Sequence, residues 1–219
     1  MTPITFWFDP ISPYAYLAFE RLPQALEGCS YAVTYRPLLF AGLLAHWGQL
    51  GPAEIAPKRD WTYRQVAWLA HRDGVALAMP VAHPFNPLPL LRLLVACGED
   101  GAANRYQCET VLHQVWRSGG AGDDAQALAR LTVQLAPARD PQSVAVKQSL
   151  RANTEGAIAR GVFGVPTLEL PRSEPAPDPL LFWGADALDM VAARLRGEPW
   201  FDTEWNRAAL VAAGVQRSR

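Results

Sequence analysis

The sequence has 219 residues, of which 50% are hydrophobic and 19% are charged, and its net charge is −1 at pH 7. This composition is typical of a globular chain with a sizeable core, either one large domain or one domain with an insertion. The balanced charge argues against a nucleic-acid-binding surface, which usually needs a basic patch. With no targeting pattern at its start and no apolar run of membrane-spanning length, the sequence predicts a cytoplasmic protein without nucleic-acid or membrane partners.

The cysteines and histidines are scattered rather than clustered. Cys29, Cys97 and Cys108 form no CxxC pair, so neither a disulfide framework nor an internal thiol redox pair is expected. No HExxH motif and no Cys/His cluster has the spacing of metal ligands. We therefore expect no metal site.

The first elements form a strand, a turn and a helix. Residues 4–8 are apolar and rich in aromatics, which predicts a core strand. Ser12 then stands at a helix N-cap position and Pro13 at the first helical position. Apolar residues recur on one face of the predicted helix, namely Tyr14, Leu17, Ala18, Leu22, Ala25 and Leu26. A second strand at 31–36 completes a βαβ unit, which favours a right-handed parallel pair.

The start of this first helix is a candidate site. A cap leaves the Ser12 hydroxyl and several unpaired backbone N–H groups facing one small volume. The partial positive charge of a helix N-terminus suits an anion or a thiolate there. Taken alone, Ser12 is explained more simply as a helix cap.

The stretch from 38 to 160 contains helical patterns and no convincing strand. Helices are predicted at about 60–72, 88–96, 102–116, 124–135 and 141–160. In the first of these, Trp61, Trp68 and Leu69 are expected to be buried. The glycine-rich stretch 118–122 is interpreted as a loop, because no Lys-Ser/Thr pair follows it and no strand precedes it.

Strand character returns at 162–170, with Pro166 near the entry. Proline in a core strand removes a ladder hydrogen bond, so Pro166 lies at an edge, at the first strand residue, or after a cis bond. A proline-rich loop at 171–179 leads to a short strand at 180–183, which is predicted to pair with the preceding strand in an antiparallel hairpin.

The end of the chain combines a helix with exposed aromatic patterns. Gly184, Ala185 and Asp186 turn into a helix predicted at 188–196. Beyond it, the tail carries Trp200, Phe201 and Trp205. These aromatics need a surface to bury against, supplied by this chain or by a second subunit.

The order β-α-β, helices, β-β-α predicts an α/β fold. It is the layout of a thioredoxin-like fold interrupted by a large all-helical insertion domain. The predicted thioredoxin-like part comprises 1–37 and 161–201, the insertion 38–160, and the tail 202–219. The insertion's last helix, about 141–160, is also able to pack with the thioredoxin-like part. In such folds the first crossover helix carries the reactive residue and faces a cis-proline before the third strand, which here are Ser12 and Pro166.

Three motifs carry a resemblance to a known family: FDPISPYAYLA at 8–18, GVFGVPT at 161–167 and FWGAD at 182–186. In this order and spacing they make the chain similar to the 2-hydroxychromene-2-carboxylate isomerase family. That family is grouped with kappa-class glutathione transferases and DsbA-like thioredoxin folds. The chain departs from it at Pro10, where another aromatic or aliphatic residue is usual, and at Ala15, where serine is common.

The resemblance implies that glutathione is the cofactor and that Ser12 is the catalytic residue. A dithiol oxidoreductase needs two cysteines at the start of this helix, where this chain has Ser12 and Ala15. Internal thiol–disulfide exchange is therefore excluded at this position. If glutathione brings the thiol, the Ser12 hydroxyl and the helix amides would stabilise its thiolate.

The resemblance also assigns glutathione contacts to Val165, Pro166, Ala185, Asp186 and Lys58. The Val165 backbone would pair with the cysteinyl part of the peptide, and Asp186 with the γ-glutamyl ammonium group. Simpler roles are a strand entry for Pro166, a helix cap for Asp186 and a solvated charge for Lys58.

The substrate side is assigned to Asn86, in the segment 83–87, and to Tyr14. A helix-capping role already accounts for Asn86, and a core role for Tyr14. The implied activity is glutathione-assisted cis–trans isomerisation of a small aromatic acid from the breakdown of aromatic hydrocarbons. The alternatives are a kappa-like glutathione transferase or peroxidase on the same site, and a non-catalytic thioredoxin-fold binding protein. A homodimer is compatible with the resemblance.

Overall fold

The computed structural model describes residues 1–120, 124–172 and 178–210. The predicted loops at 118–122 and 171–179 and the predicted tail at 202–219 lie partly outside these residues. Among the described helices, none has the length and apolar character needed to cross a membrane.

The centre of the fold is a four-stranded sheet. Its strands are β1 (Thr2–Phe8), β2 (Tyr31–Pro37), β3 (Thr167–Leu170) and β4 (Leu180–Trp183), in the order β2-β1-β3-β4. β1 runs parallel to β2 and antiparallel to β3, and β3 and β4 form an antiparallel hairpin. The predicted parallel pair and the predicted hairpin are both confirmed.

Helices surround this sheet, and most of them come from the segment between β2 and β3. The described helices are α1 (Pro13–Ala25), α2 (Phe40–Trp47), α3 (Ala56–Asp73), α4 (Leu88–Cys97), α5 (Arg105–Trp116), α6 (Ala125–Leu135), α7 (Val144–Ala159), α8 (Leu188–Leu195), α9 (Trp200–Thr203) and α10 (Trp205–Ala208). The α/β thioredoxin-like architecture is therefore confirmed, while the domain boundaries stay predictions.

Both faces of β1 are buried, because side chains alternate across a strand. Phe6 and Phe8 point into the larger core cluster, which also contains the buried face of α1. Trp7 points to the opposite face and packs in a second cluster with Leu38 and Leu43. β1 is thus a central strand that fixes the position of the residues following it.

The prediction that Trp61 and Trp68 are buried is wrong. Their side chains are 62% and 60% exposed. The buried face of α3 consists of Thr62, Val66 and Ala70, spaced four residues apart, and the two tryptophans lie outside that stripe. The face of α3 that packs against the core is made of small side chains. The hydrophobicity of the two tryptophans therefore did not indicate which face of α3 is buried. Leu69 is partly buried against the core.

Two of the three tail aromatics, Phe201 and Trp205, pack against this chain's own sheet, whereas Trp200 is 40% exposed. The Phe182 ring of β4 lies 5.7 Å from the Phe201 ring and 5.3 Å from the Trp205 ring, measured between centroids. Phe201 is only 3% exposed. The sequence predicts a surface from this chain or from a second subunit, and here this chain supplies it.

Asn153 on α7 joins three segments by buried hydrogen bonds. Its Nδ2 donates to the carbonyls of Pro37 and Gly101, each at 2.9 Å, and its Oδ1 accepts from Arg36 Nη1 at 3.3 Å. The side chain is 7% exposed. These bonds tie α7 to the end of β2.

Replacing Asn153 with Leu is expected to lower the free energy of unfolding by about 2 to 4 kcal/mol, because buried carbonyls lose their donors. Urea unfolding measures the change. The matched control is Gln148→Leu on the exposed face of the same helix, expected to stay within about 0.5 kcal/mol of the parent. Equal losses in the two variants would contradict this role for Asn153.

Candidate active site

The loop 9–12 connects β1 to α1. The side chain of its first residue, Asp9, fixes its conformation by hydrogen bonds. The buried Asp9 carboxyl group accepts two backbone hydrogen bonds, from Ile11 N at 3.0 Å and from Phe40 N at 2.9 Å. The second bond links the loop to the start of α2. Ser12 N also donates to Asp9 O at 3.0 Å, which closes the turn.

Two side chains from the helical insertion hold the next two carbonyls of this loop. Trp116 Nε1 donates to Pro10 O at 2.8 Å, and His83 Nε2 lies 2.8 Å from Ile11 O. The 9–12 loop is therefore positioned by the sheet and by the insertion together.

The hydrogen bonds of His83 define its tautomer. A carbonyl oxygen only accepts, so Nε2 carries the proton that is donated to Ile11 O. The Tyr63 hydroxyl lies 2.8 Å from His83 Nδ1 and 3.0 Å from the His83 carbonyl oxygen, and its single proton serves one of these two acceptors when the ring is neutral. Burial lowers the pKa of His83, although its bond to the Ile11 carbonyl opposes the shift.

Ser12 caps α1, as the sequence predicts, and it also reaches across to β3. Its Oγ accepts a hydrogen bond from Ala15 N at 3.2 Å and donates to Val165 O at 3.3 Å. The Val165–Pro166 peptide bond is cis. The structure therefore brings Ser12, Val165 and Pro166 together, although 153 residues separate Ser12 from Val165.

Two backbone N–H groups beside Ser12 lack an acceptor within the described ranges. They belong to Tyr14, in the first turn of α1, and to Val165. Backbone donors at such positions are normally satisfied by a side chain, by water or by a ligand. Together with the Ser12 hydroxyl, they form a donor set that fits a thiolate and the backbone of a small peptide.

Ala185 and Asp186 are joined to this set through Gly184. Gly184 N donates to Pro166 O at 2.9 Å. Gly184 has a φ of +100°, and a Cβ on it would lie 2.3 Å from Asp186 Oδ1. Only glycine therefore allows the exposed Asp186 side chain to fold back over Gly184 itself.

An aromatic wall borders the same segment and was missed from the sequence. The Phe163 and Trp183 rings lie 5.0 Å apart, and Trp183 is 55% exposed. A Cβ on Gly164 would come within 2.4 Å of Trp183 Nε1, so this glycine permits the close approach. The sequence did contain a signal for this contact, because the predicted hairpin brings the GVFG motif close to the FWG motif.

Tyr14 points from α1 towards α3. Its hydroxyl donates to Gln65 Oε1 at 2.6 Å, a partner that sequence reasoning did not single out. Burial raises the pKa of Tyr14, and the negative charge of Asp186 adds to the rise. A side-chain hydrogen bond with Thr62 partly opposes this rise.

Lys58 and Asn86 are not brought into contact with Ser12. Lys58 is exposed in the first turn of α3 and forms no ion pair with any described residue. Asn86 Oδ1 accepts from Leu88 N at 3.1 Å, which accounts for it as a cap of α4. Their glutathione and substrate roles stay predictions.

The profile of the DsbA-like thioredoxin domain matches residues 3–196 of this chain. The chain belongs to the DsbA-like thioredoxin family. It is 26% identical over 199 residues to 2-hydroxychromene-2-carboxylate isomerase of Pseudomonas putida, covering 88% of this chain and 93% of that protein. It is 27% identical over 204 residues to glutathione S-transferase kappa 2 of Caenorhabditis elegans, covering 86% and 89%.

A solved structure of 2-hydroxychromene-2-carboxylate isomerase shares this fold. Its TM-score is 0.73 at 23% identity, and the match covers 96% of this chain and 100% of the other. This likeness confirms the DsbA-like thioredoxin fold.

The cysteines of this DsbA-like chain lie away from the start of α1. Burial raises the pKa of the Cys97 thiol on α4 to about 11 and that of Cys108 on α5 well above its ordinary value. Neither is a thiolate at neutral pH. Neither therefore supplies a reactive thiolate beside Ser12, and the 9–12 loop and the first turn of α1 contain no cysteine.

A set of metal-ligand types also occurs between α1 and α5. Donor atoms of Glu20, Glu109 and His113 lie within 4.8 Å of one another. His113 Nε2 is already 2.9 Å from Glu20 Oε1, a hydrogen bond that links the two helices by itself. The expectation of no metal site stays a prediction.

Asp9 was not predicted as a site residue, although an acid directly after a core strand is a signal of a special environment. Burial raises the pKa of its carboxyl to about 7, and the hydrogen bonds from Ile11 and Phe40 only partly oppose this. The folded chain therefore retains a proton on Asp9 that the unfolded chain has lost.

Stability should consequently fall as the pH rises from about 4 through about 7, because the unfolded state gives up the Asp9 proton first. The quantity to compare is the free energy of unfolding of the parent minus that of Asp9→Asn. We expect this difference to be about 2 to 3 kcal/mol lower at pH 8 than at pH 5. Urea unfolding of both proteins at both pH values measures this, and other titrating groups cancel in the difference. A pH-independent difference would contradict the buried, protonated Asp9.

Proposed function

We propose that this protein is a glutathione-dependent cis–trans isomerase of 2-hydroxychromene-2-carboxylate-type substrates. The observation that carries the proposal is the Ser12 hydroxyl, which meets Val165 O directly before cis-Pro166. A thioredoxin-fold enzyme of the dithiol kind needs cysteines at this helix start, where the chain has a serine hydroxyl. Relatives named as isomerases and as kappa-class glutathione transferases support an enzyme of this general type.

The donor set at the start of α1 fits glutathione. When bound, glutathione would supply a thiol able to add reversibly to a conjugated ketone, so that the former double bond can rotate. The Tyr14 N–H would donate to the sulfur, and so would the Ser12 hydroxyl once its single proton turns from Val165 O to the sulfur; both bonds favour the thiolate form. The positive end of α1 adds to this stabilisation.

Residues beyond Ser12 would hold the remainder of the tripeptide. The Val165 N–H, which has no acceptor within the described residues, would pair with the cysteinyl backbone. Asp186 would bind the γ-glutamyl ammonium, with the backbone at Ala185 beside it. Pro166 shapes the wall behind the sulfur, and the exposed Lys58 would reach the glutathione carboxylates.

Tyr14 and Asn86 are proposed to face the substrate, a small aromatic acid. The Tyr14 hydroxyl is placed by Gln65 and stays protonated, because burial raises its pKa. Its single proton would move from Gln65 Oε1 to the substrate, so that Tyr14 donates a hydrogen bond without carrying a charge. The neighbouring Phe163 and Trp183 rings offer an apolar surface for an aromatic ring.

A second candidate is a kappa-like transferase or peroxidase that consumes glutathione at the same site. The identity to the Caenorhabditis elegans kappa relative, 27%, is as high as the 26% to the Pseudomonas putida isomerase, which favours keeping this alternative. Measuring glutathione after many turnovers separates the two, since only the isomerase returns it unchanged. A protein that binds glutathione without turnover would instead be a non-catalytic binding protein.

A cytoplasmic location and a homodimer remain proposals. The three cysteines are free, which is compatible with a reducing compartment. Sedimentation of the purified protein would decide the assembly state.

Ser12→Ala is expected to lower kcat by about 100-fold and to raise the thiol pKa of bound glutathione, because one donor to the sulfur is lost. The activity is followed with 2-hydroxychromene-2-carboxylate, and the thiolate by its ultraviolet absorbance across a pH titration.

Ser143→Ala is the matched control for this variant. Ser143 caps α7 through Oγ, which accepts from Val146 N at 3.3 Å, so both variants lose one helix cap, worth about 1 kcal/mol. Only the Ser12 variant should change the thiol pKa. If Ser12→Ala keeps full activity and an unchanged thiol pKa, Ser12 is a cap alone and the proposal fails.

Asp186→Asn is expected to weaken glutathione binding about tenfold, because the ammonium group loses its charged partner. The thiol pKa of bound glutathione should stay unchanged, since Ser12 is untouched. Calorimetric titration measures the affinity. Asp189→Asn, which removes a neighbouring exposed carboxylate, is the control expected to bind normally. Equal affinities for the two variants would remove Asp186 from the site.

A further inference from the structure

A groove separate from the Ser12 site crosses the surface where α2, α4 and α7 meet. Its volume is about 340 Å³, near the lower end of the roughly 300 to 1,000 Å³ typical of small-molecule sites. None of its lining residues belongs to the 9–12 loop, to the cis-proline segment or to the turn at Asp186.

One face of α7 forms the floor of this groove. It carries basic side chains towards the start of the helix and an apolar side chain near its end. Lys147 and Arg151 lie towards the start of the helix, Leu150 in between, and Ile158 near its end. Their spacing of three, four and seven residues places them on one side of a helix. At 1.5 Å per residue, the distance along the axis from Lys147 to Ile158 is about 16 Å.

The opposite wall of the groove also contains both basic and apolar side chains. Leu39 and Leu88 are partly buried and line the groove together with Leu150. Arg92 of α4 contributes a third basic side chain. The groove therefore combines a basic group of three residues (Arg92, Lys147 and Arg151) with an apolar lining.

Arg92 is the group that most clearly lacks a partner. Its Nε is buried and has no hydrogen-bond acceptor among the described residues. Arg92 also has no carboxylate at ion-pair distance among the described residues, so an anion in the groove would give its charge a partner. Arg151 is paired with Glu155 at 2.7 Å, but Lys147 has no carboxylate at ion-pair distance within the described chain.

The combination selects one class of ligand. A cation is disfavoured because three lining bases face one lining acid, Glu155. A highly polar molecule such as a sugar would leave the leucine and isoleucine surfaces uncovered. A molecule with one carboxylate and an elongated apolar body satisfies both halves of the groove.

We propose that this groove is a binding site for an amphipathic carboxylate. Its head group lies against Arg92 and Lys147, and its apolar body lies along α7 towards Ile158. The site is independent of glutathione and of the activity proposed for Ser12.

The test is calorimetric titration of the full chain with decanoate, and with decan-1-ol as a neutral probe of the same length. We expect one decanoate per chain, bound at least about tenfold more tightly than the alcohol. The double variant Arg92→Gln/Lys147→Gln should lose most of this preference. Arg130→Gln, which removes an exposed charge from α6, should retain it.

Two further measurements separate this site from the catalytic one. Decanoate affinity should be the same in Ser12→Ala and in the presence of saturating glutathione. Because Arg92 is partly buried, Lys147→Gln alone serves as a second variant with no risk to the fold, and it should weaken decanoate binding several-fold. Equal affinities for decanoate and decanol, no binding at all, or full binding by the double variant would overturn the proposal.

Discussion

The buried carboxyl group of Asp9 is the constraint on which the candidate site depends. It stands where the central strand ends and it joins, through two backbone N–H groups, the turn before α1 and the start of α2. An ionisable group without water is costly to maintain, and here its hydrogen bonds define a single path for the chain. Every later contact, from Trp116 to Pro10 O and from His83 to Ile11 O, acts on a loop whose shape Asp9 has set.

The helical insertion accordingly does more than cover one side of a cleft. Its side chains hold the carbonyls of the 9–12 loop, while the loop's serine reaches the opposite segment at Val165. The hydroxyl of Ser12 thus lies at a junction of the sheet, the first helix and the insertion. Such a site on rigid elements can keep a donor in place for a developing or resident negative charge, which is what thiolate stabilisation requires.

Local rules predicted what depends on neighbours in sequence. The Ser12-Pro13 cap and the parallel and antiparallel strand pairs follow from residue types at short range. For Pro166 those rules left three placements open, and the thioredoxin-like layout pointed to the cis bond. The exposed Trp61 and Trp68 could not be predicted in this way, because the stripe of α3 that packs inward is made of small residues. Likewise, Gln65 beside Tyr14 and His83 beside Ile11 are 51 and 72 residues from their partners. Only the packing of the helical insertion decides which polar side chains lie beside Tyr14 and Ile11.

The long separation between the two halves of the sheet has a consequence during synthesis. β1 receives its β3 neighbour, and Ser12 its Val165 partner, only after about 150 further residues have been made, roughly 8 to 30 s at ribosomal rates. Until then, one edge of an aromatic-rich central strand has no pairing partner in the nascent chain, and open strand edges recruit other strands. Expression yield should therefore depend on chaperones that shield emerging chains.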